Sequence, residues 1–148
     1  MSTSNAHILL VEDNRMDVEL TLDAFHEAKL INTVHVATTG QQALDYLFGR
    51  DQYANRKDFP LPNLVLLDLK LPGTDGFEIL RQVKSTPILK RIPVIVLTSS
   101  KEEGDRALSY DNGANSYLVK PVSFEGFLGV VRDIAGYWIS LNVAPPEA

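Results

Sequence analysis

The chain has 148 residues, 45% of them hydrophobic and 22% charged, a balance that suits one soluble domain with a single core. A net charge of −5 leaves no electrostatic footprint for nucleic acid or anionic lipid, and no apolar run approaches the roughly 18 residues of a membrane span. Cysteine is absent, which excludes disulfides, thiolate metal sites and cysteine nucleophiles together, and the opening MSTSNAH lacks a secretory pattern, so a cytoplasmic location is expected.

HILLVE (7–12) is a short, branched apolar run and predicts a first strand. Asp13 and Asn14 are good helix caps, and Met16, Leu20, Phe25 and Ala28 follow at roughly helical spacing. NTVHVA (32–37) alternates polar and apolar, as a strand nearer an edge does. GQQALDYLFG (40–49) predicts a short helix bracketed by glycines, and residues 50–62 form a polar loop with two prolines. Residues 64–69 contain five aliphatic side chains and one carboxylate, Asp68, which predicts a strand buried on both faces with a charge near its tip. Asp75 and Glu78 have capping-box spacing, and Phe77, Leu80, Gln82 and Val83 continue as a helix. IPVIVLT (92–98) is the most apolar strand, Ser100 and Glu103 open another helix that Gly113 closes, and NSYLV (115–119) is the fifth strand. Ser123 caps a final helix reaching about Ser140.

Five strand–helix alternations with apolar central strands predict an α/β fold, a doubly wound five-stranded parallel sheet with helices on both faces. Ligands of such sheets sit outside the carboxyl ends of the strands. There the chain carries Glu12–Asp13, Asp68, Thr98 and Lys120–Pro121 in succession. If the order is 2-1-3-4-5, the first and third strands are neighbours and three carboxylates crowd one end. Two of them about 4 Å apart repel by roughly 4 kcal/mol at an effective dielectric of about 20, so the cluster requires a proton, a lysine or a divalent cation. Oxygen ligands in a compact acidic site suit Mg²⁺. Asp68 is then a candidate nucleophile toward phosphorus, with Lys120 and Mg²⁺ neutralising charge and the Thr98 hydroxyl bonding a phosphoryl oxygen. Each residue alone has an ordinary structural explanation; their joint occurrence at consecutive strand ends does not.

From about His7 to Ser140 the chain resembles the receiver domain of two-component response regulators. The resemblance rests on the acid pair Glu12–Asp13, on Asp68 followed by Pro72 and Gly76, on Thr98, and on Lys120–Pro121. It implies a receiver over 5–141 with a short tail over 142–148, and a phosphoacceptor at Asp68 served by a sensor histidine kinase. It also implies Mg²⁺ held by Asp13, Asp68 and the main-chain carbonyl of Lys70, with Glu12 holding a metal-bound water. A cis bond before Pro121 is implied too, as is a switch in which the Thr98 hydroxyl rotates while Tyr117 swings inward. Lys70, two residues after Asp68, and Ser100 are expected to tune the lifetime of the acyl phosphate.

His7, His26 and His35 fall away from the acidic end and read as structural, so the donor histidine should belong to another protein. With no effector region in the sequence, output is expected through protein contact. Phe127, Leu128, Val130, Val131, Ile134, Ala135, Tyr137, Trp138, Ile139 and Leu141 cover roughly 200° of the last helix, wider than a stripe packed only on a sheet. A homodimer is therefore expected through helix 4, strand 5 and helix 5, with Phe127, Val130, Ile134, Tyr137, Trp138 and Leu141 on its face. The Tyr137–Trp138 pair and the Pro-containing extension also resemble stand-alone receivers that partner bacterial phytochrome kinases, chemotaxis-type single receivers being the alternative. A phosphatase of the haloacid-dehalogenase type would want a second acid where Lys70 stands. A nucleotide or flavin binder would want a phosphate-cradling loop where the chain has Asn14–Arg15–Met16. A phosphorylation-independent receiver usually lacks the acid pair, the aspartate or the lysine, all of which are present.

Overall fold

The computed structural model describes residues 7–28, 33–71, 73, 75–99, 103–120 and 123–134. Five parallel strands, β1 (His7–Val11), β2 (Thr33–Ala37), β3 (Leu64–Leu67), β4 (Val94–Thr98) and β5 (Ser116–Val119), form one sheet in the order β2-β1-β3-β4-β5. Between and after them run α1 (Arg15–Glu27), α2 (Gly40–Phe48), α3 (Gly76–Ser85), α4 (Glu103–Asp111) and α5 (Phe124–Ile134). The expected fold class and strand order are both observed. The predicted continuation of the last helix toward Ser140, and with it Tyr137, Trp138 and Leu141, lies outside the described residues, as do Ser100, Pro72, Pro121 and the tail.

Side chains of a strand alternate between sheet faces, and two packed layers follow from that alternation. Ile8, Leu10, Leu64, Leu66, Ile95 and Leu97 point to one side and meet Ala24 and Phe25 of α1 with Phe127, Val131 and Ile134 of α5. Leu9, Val11, Val65, Leu67, Val94 and Val96 point to the other side and meet Ala43, Leu44 and Leu47 of α2 with Ile79, Leu80 and Val83 of α3. Burying such a side chain stabilises by about 1.5–3 kcal/mol each, and strands buried on both faces hold the central sheet tightly. Phe127 and Ile134, expected on a dimer face, are 1% and 3% exposed and belong to this core. Over the described part of α5, the side that carries Phe127, Val131 and Ile134 is occupied by α1 and the sheet. Val130 is half-buried against the same cluster.

Local chemistry sets the helix starts. Asn14 accepts the Asp17 N–H at 3.1 Å, Asp75 accepts that of Glu78 at 2.9 Å, and Ser123 Oγ accepts that of Gly126 at 3.1 Å. Residues 50–62 are more ordered than a polar loop suggests. A 3₁₀ turn at Asp51–Tyr53 opens the segment, and Tyr46, Tyr53 and Phe59 pack ring to ring. Arg56 donates to the carbonyls of Tyr46 and Leu47 at 2.8 Å each and of Phe59 at 3.1 Å, supplementing the Gly49 N–H that Tyr46 O accepts at 3.2 Å and tying the connector to the end of α2.

Gly76 opens α3 directly against the segment leaving β3. A Cβ there would lie 2.6 Å from the Leu69 Cα and 2.7 Å from the Asp68 carbonyl oxygen. Gly76→Ala is expected to cost about 1–3 kcal/mol of unfolding free energy in urea titrations, because the backbone beneath Asp68 must move to admit the methyl.

His7 and His35 stack with ring centroids 5.5 Å apart, and their ring nitrogens Nδ1 and Nε2 approach to 3.2 Å. Burial, with the His7 ring beside it, lowers the pKa of His35 below the ordinary histidine value of 6.5. A folded pKa below the unfolded one means that stability is fully present above about 6.5 and is lost as pH falls through the lowered folded value. Because the Glu12 carboxyl, raised to about 7, titrates in the same window with the opposite sign, the loss is read as a difference: between pH 7.5 and 5.5 the urea stability of His35→Gln is expected to gain on that of the wild type as pH falls.

Candidate functional site

Ladder hydrogen bonds run past the formal strand ends and fix the residues that follow. Glu12 N donates to Ala37 O at 2.9 Å, Asp68 N to Val11 O at 3.0 Å, and Lys120 N to Thr98 O at 2.7 Å. Adjacent strands therefore deliver Glu12, Asp68, Thr98 and Lys120 to one end of the sheet in register. Glu12, Asp13 and Asp68 come together as the sequence implied, each offering a carboxylate oxygen within 4.8 Å of the others. Asp13 is exposed, whereas Glu12 and Asp68 are buried.

Lys120 occupies the middle of this group with its side chain 8% exposed. Its Nζ lies 3.0 Å from Asp68 Oδ2 and is also bonded to Glu12 Oε1. The remaining oxygens of both carboxylates accept backbone N–H groups, Glu12 Oε2 from Asn14 at 3.1 Å and Asp68 Oδ1 from Lys70 at 3.2 Å. Burial pushes the Glu12 carboxyl up to about 7; the Lys120 hydrogen bond draws it back, and the neighbouring Asp68 charge adds to the rise. Burial opposes the Lys120 charge, yet hydrogen bonds to Asp17 and Glu12 more than offset it and raise its pKa above the ordinary lysine value. The ammonium is therefore charged throughout the neutral range.

Asp17, in the first turn of α1, was not among the expected residues. Its Oδ2 lies 2.8 Å from Lys120 Nζ. A carboxylate in a helix's first turn is ordinarily explained by the helix dipole, which concealed its second role. The available signal was its position one helical turn beyond Asp13, which returns it to the same sheet end. Four carboxyl groups, those of Glu12, Asp13, Asp17 and Asp68, gather here with one ammonium, so acidic groups outnumber the basic one. Oxygen donors in such a field fit a divalent cation.

Thr98 is fully buried at the end of β4. Tyr117 pairs in register with Val96 and is half-buried against the α2–α3 side of the core. Residues 96 and 98 share a sheet face, so Thr98 and Tyr117 stand diagonally on that face. The Lys70 side chain is 65% exposed and reaches 3.7 Å from Asp105 Oδ2 of α4. The histidine pair lies outside this group, as expected, and His26 is exposed on α1.

Residues 8–132 match the family described as response regulator receiver domain. The probable methanogenesis regulatory protein FilR2 of Methanothrix harundinacea is 41% identical over 95% of this chain and 88% of its own length. Response regulator Rcp1 of Synechocystis sp. is 37% identical over 93% of this chain and 92% of its own. The solved structure of Rcp1 in its Mn(2+)-bound form superposes with a TM-score of 0.85 at 35% identity, covering 95% of this chain and 99% of that one. The phosphorylated cyanobacterial phytochrome response regulator RcpA superposes with a TM-score of 0.89 at 38% identity, covering 96% of this chain and 99% of that one. The order β2-β1-β3-β4-β5, the acidic cluster at its carboxyl end and the match over residues 8–132 have one conclusion: the chain belongs to the response regulator receiver family.

Proposed function

We propose that the protein accepts a phosphoryl group on Asp68 from a histidine of a partner sensor kinase and signals through protein contacts. The observation that carries this reading is the buried Asp68 carboxylate held 3.0 Å from the Lys120 ammonium beside Glu12 and Asp13. A carboxylate oxygen of Asp68 attacks phosphorus, and the P–N bond to the donor imidazole breaks. The bond's electron pair returns to the ring nitrogen, which takes up a proton. In hydrolysis, water attacks phosphorus and the acyl O–P bond breaks, restoring the carboxylate and releasing inorganic phosphate. Lys120 and Thr98 stabilise the phosphoryl oxygens. Asp13, Asp68 and the main-chain carbonyl of Lys70 would hold Mg²⁺, with Glu12 holding a metal-bound water, and the cation when bound supplies positive charge to the transferring oxygens. Rotation of the Thr98 hydroxyl toward the phosphoryl group vacates space on its sheet face, and Tyr117 swings into it. The protein is a phosphoacceptor that assists its own labelling and hydrolysis, not a multiple-turnover enzyme, and its expected location is the cytoplasm.

Likeness to Rcp1 and RcpA over nearly the full length of each, the latter described as a phytochrome response regulator, supports a phytochrome-type kinase as donor. Incubation with acetyl phosphate is expected to add one phosphoryl mass to the intact protein only with Mg²⁺, and not in Asp68→Ala. Label at another residue, or catalytic release of many equivalents of phosphate, would end this reading. In a chase of the same samples, Lys70→Ala and Ser100→Ala are expected to change the acyl-phosphate half-life several-fold, as the loss of a contact worth about 1 kcal/mol would. Two unchanged half-lives would remove the tuning role.

With Phe127 and Ile134 inside the core, the homodimer reading rests on other residues. Leu108 and Tyr110 of α4, Val119 of β5 and Phe124 at the start of α5 are exposed large apolar side chains on neighbouring elements. A second copy covering them would join the molecules through the α4–β5–α5 face. Sedimentation at micromolar concentration, with and without beryllofluoride, is expected to show a dimer that Tyr110→Glu dissociates; monomer under both conditions refutes it.

A further inference from the structure

Lys120 already uses all of its donors. An ammonium has three N–H groups, and three carboxylates receive them: Glu12, Asp68 at 3.0 Å and Asp17 at 2.8 Å. If Asp68 accepts a phosphoryl group, as proposed above, a new oxygen must take one of these bonds. The Glu12 side chain is only 4% exposed, so losing the ammonium would strand its buried carboxylate, and the Asp68 side chain is 6% exposed, so its carbonyl oxygen, neutral once esterified, would be left buried without a donor. Asp17 is 23% exposed and sits in the first turn of α1, where water and the helix dipole stabilise a free carboxylate. It is the contact that breaks at least cost.

We infer that Asp17 is a positioning residue, which holds the Lys120 ammonium in the unphosphorylated protein and releases it to the phosphoryl oxygen. Its own geometry is prepared for this. Asn14 fixes the Asp17 N–H, and the Thr21 hydroxyl donates to the Asp17 carbonyl at 2.7 Å, so the side chain projects from a braced turn. The exchange makes and breaks only hydrogen bonds. It also removes a tie between α1 and the end of β5, 103 residues apart, whenever Asp68 is modified.

Competition by Asp17 retards labelling and weakens phosphoryl-analogue binding in the wild type. At saturating Mg²⁺, Asp17→Asn is expected to raise the labelling rate from acetyl phosphate and to lower the beryllofluoride dissociation constant. Each should change by about three- to tenfold, the scale of one hydrogen bond. Asp17→Ser should move both readouts the same way, and Asp17→Glu should return both to within about twofold of wild type, the residual scatter of a conserved contact. Glu19→Gln removes a charge from the same helix without touching Lys120 and should leave both unchanged. Slower or unaltered labelling in Asp17→Asn and Asp17→Ser, or an equal gain in Glu19→Gln, overturns the role of Asp17. Wild type that fails to label at Asp68 defeats the phosphoacceptor reading instead, so the two failures are distinguishable.

Discussion

Backbone hydrogen bonds, rather than attraction between side chains, decide where the charges of this molecule sit. Neighbouring carboxylates at about 4 Å repel by roughly 4 kcal/mol at an effective dielectric of about 20, and left alone they would separate. The parallel ladder denies them that freedom. Amide bonds from Glu12 to Ala37, Asp68 to Val11 and Lys120 to Thr98 continue the sheet beyond its apolar strands and place each charged residue on a rigid support. Lys120 then becomes the compensation the fold itself supplies, and a cation or phosphoryl group, as proposed, would meet a site already assembled. Ordered dipoles and charges of this kind cost no further reorganisation when a reacting group arrives.

The same arrangement explains why the site is both buried and reachable. Glu12, Asp68 and Thr98 lie at the carboxyl ends of strands whose own side chains are almost wholly inaccessible. Asp13, Lys70 and the first turn of α1 form the outer rim and face solvent to different degrees. Inner groups hold fixed geometry, and outer groups are free to exchange partners.

Much of this was legible in the residues. Strands such as Val94–Thr98 announce themselves because burial on both faces demands an unbroken apolar run, and a charge at the end of such a run stands out. Asp17 was not legible for the opposite reason: an acid in a helix's first turn satisfies local electrostatics and raises no question. The face of α5 was misassigned at Phe127 and Ile134 because an arc of apolar residues does not say which part another helix covers; α1 decides that, through contacts between distant segments. The segment 50–62 read as polar loop because its order comes from Arg56 and from the rings of Tyr53 and Phe59 packed on Tyr46 of α2, and the spacing of these segment residues follows no strand or helix period.

That guanidinium has a wider consequence. By bonding carbonyls of both α2 and the descending chain at Phe59, Arg56 makes helix and connector a single mechanical part whose far end feeds β3. The connector cannot be trimmed to a short linker without stripping the Arg56 donors from the helix end and uncovering Tyr46. Chimeras that exchange receiver segments should therefore be cut outside 40–63, so that the helix, its clasp and the strand entrance travel together.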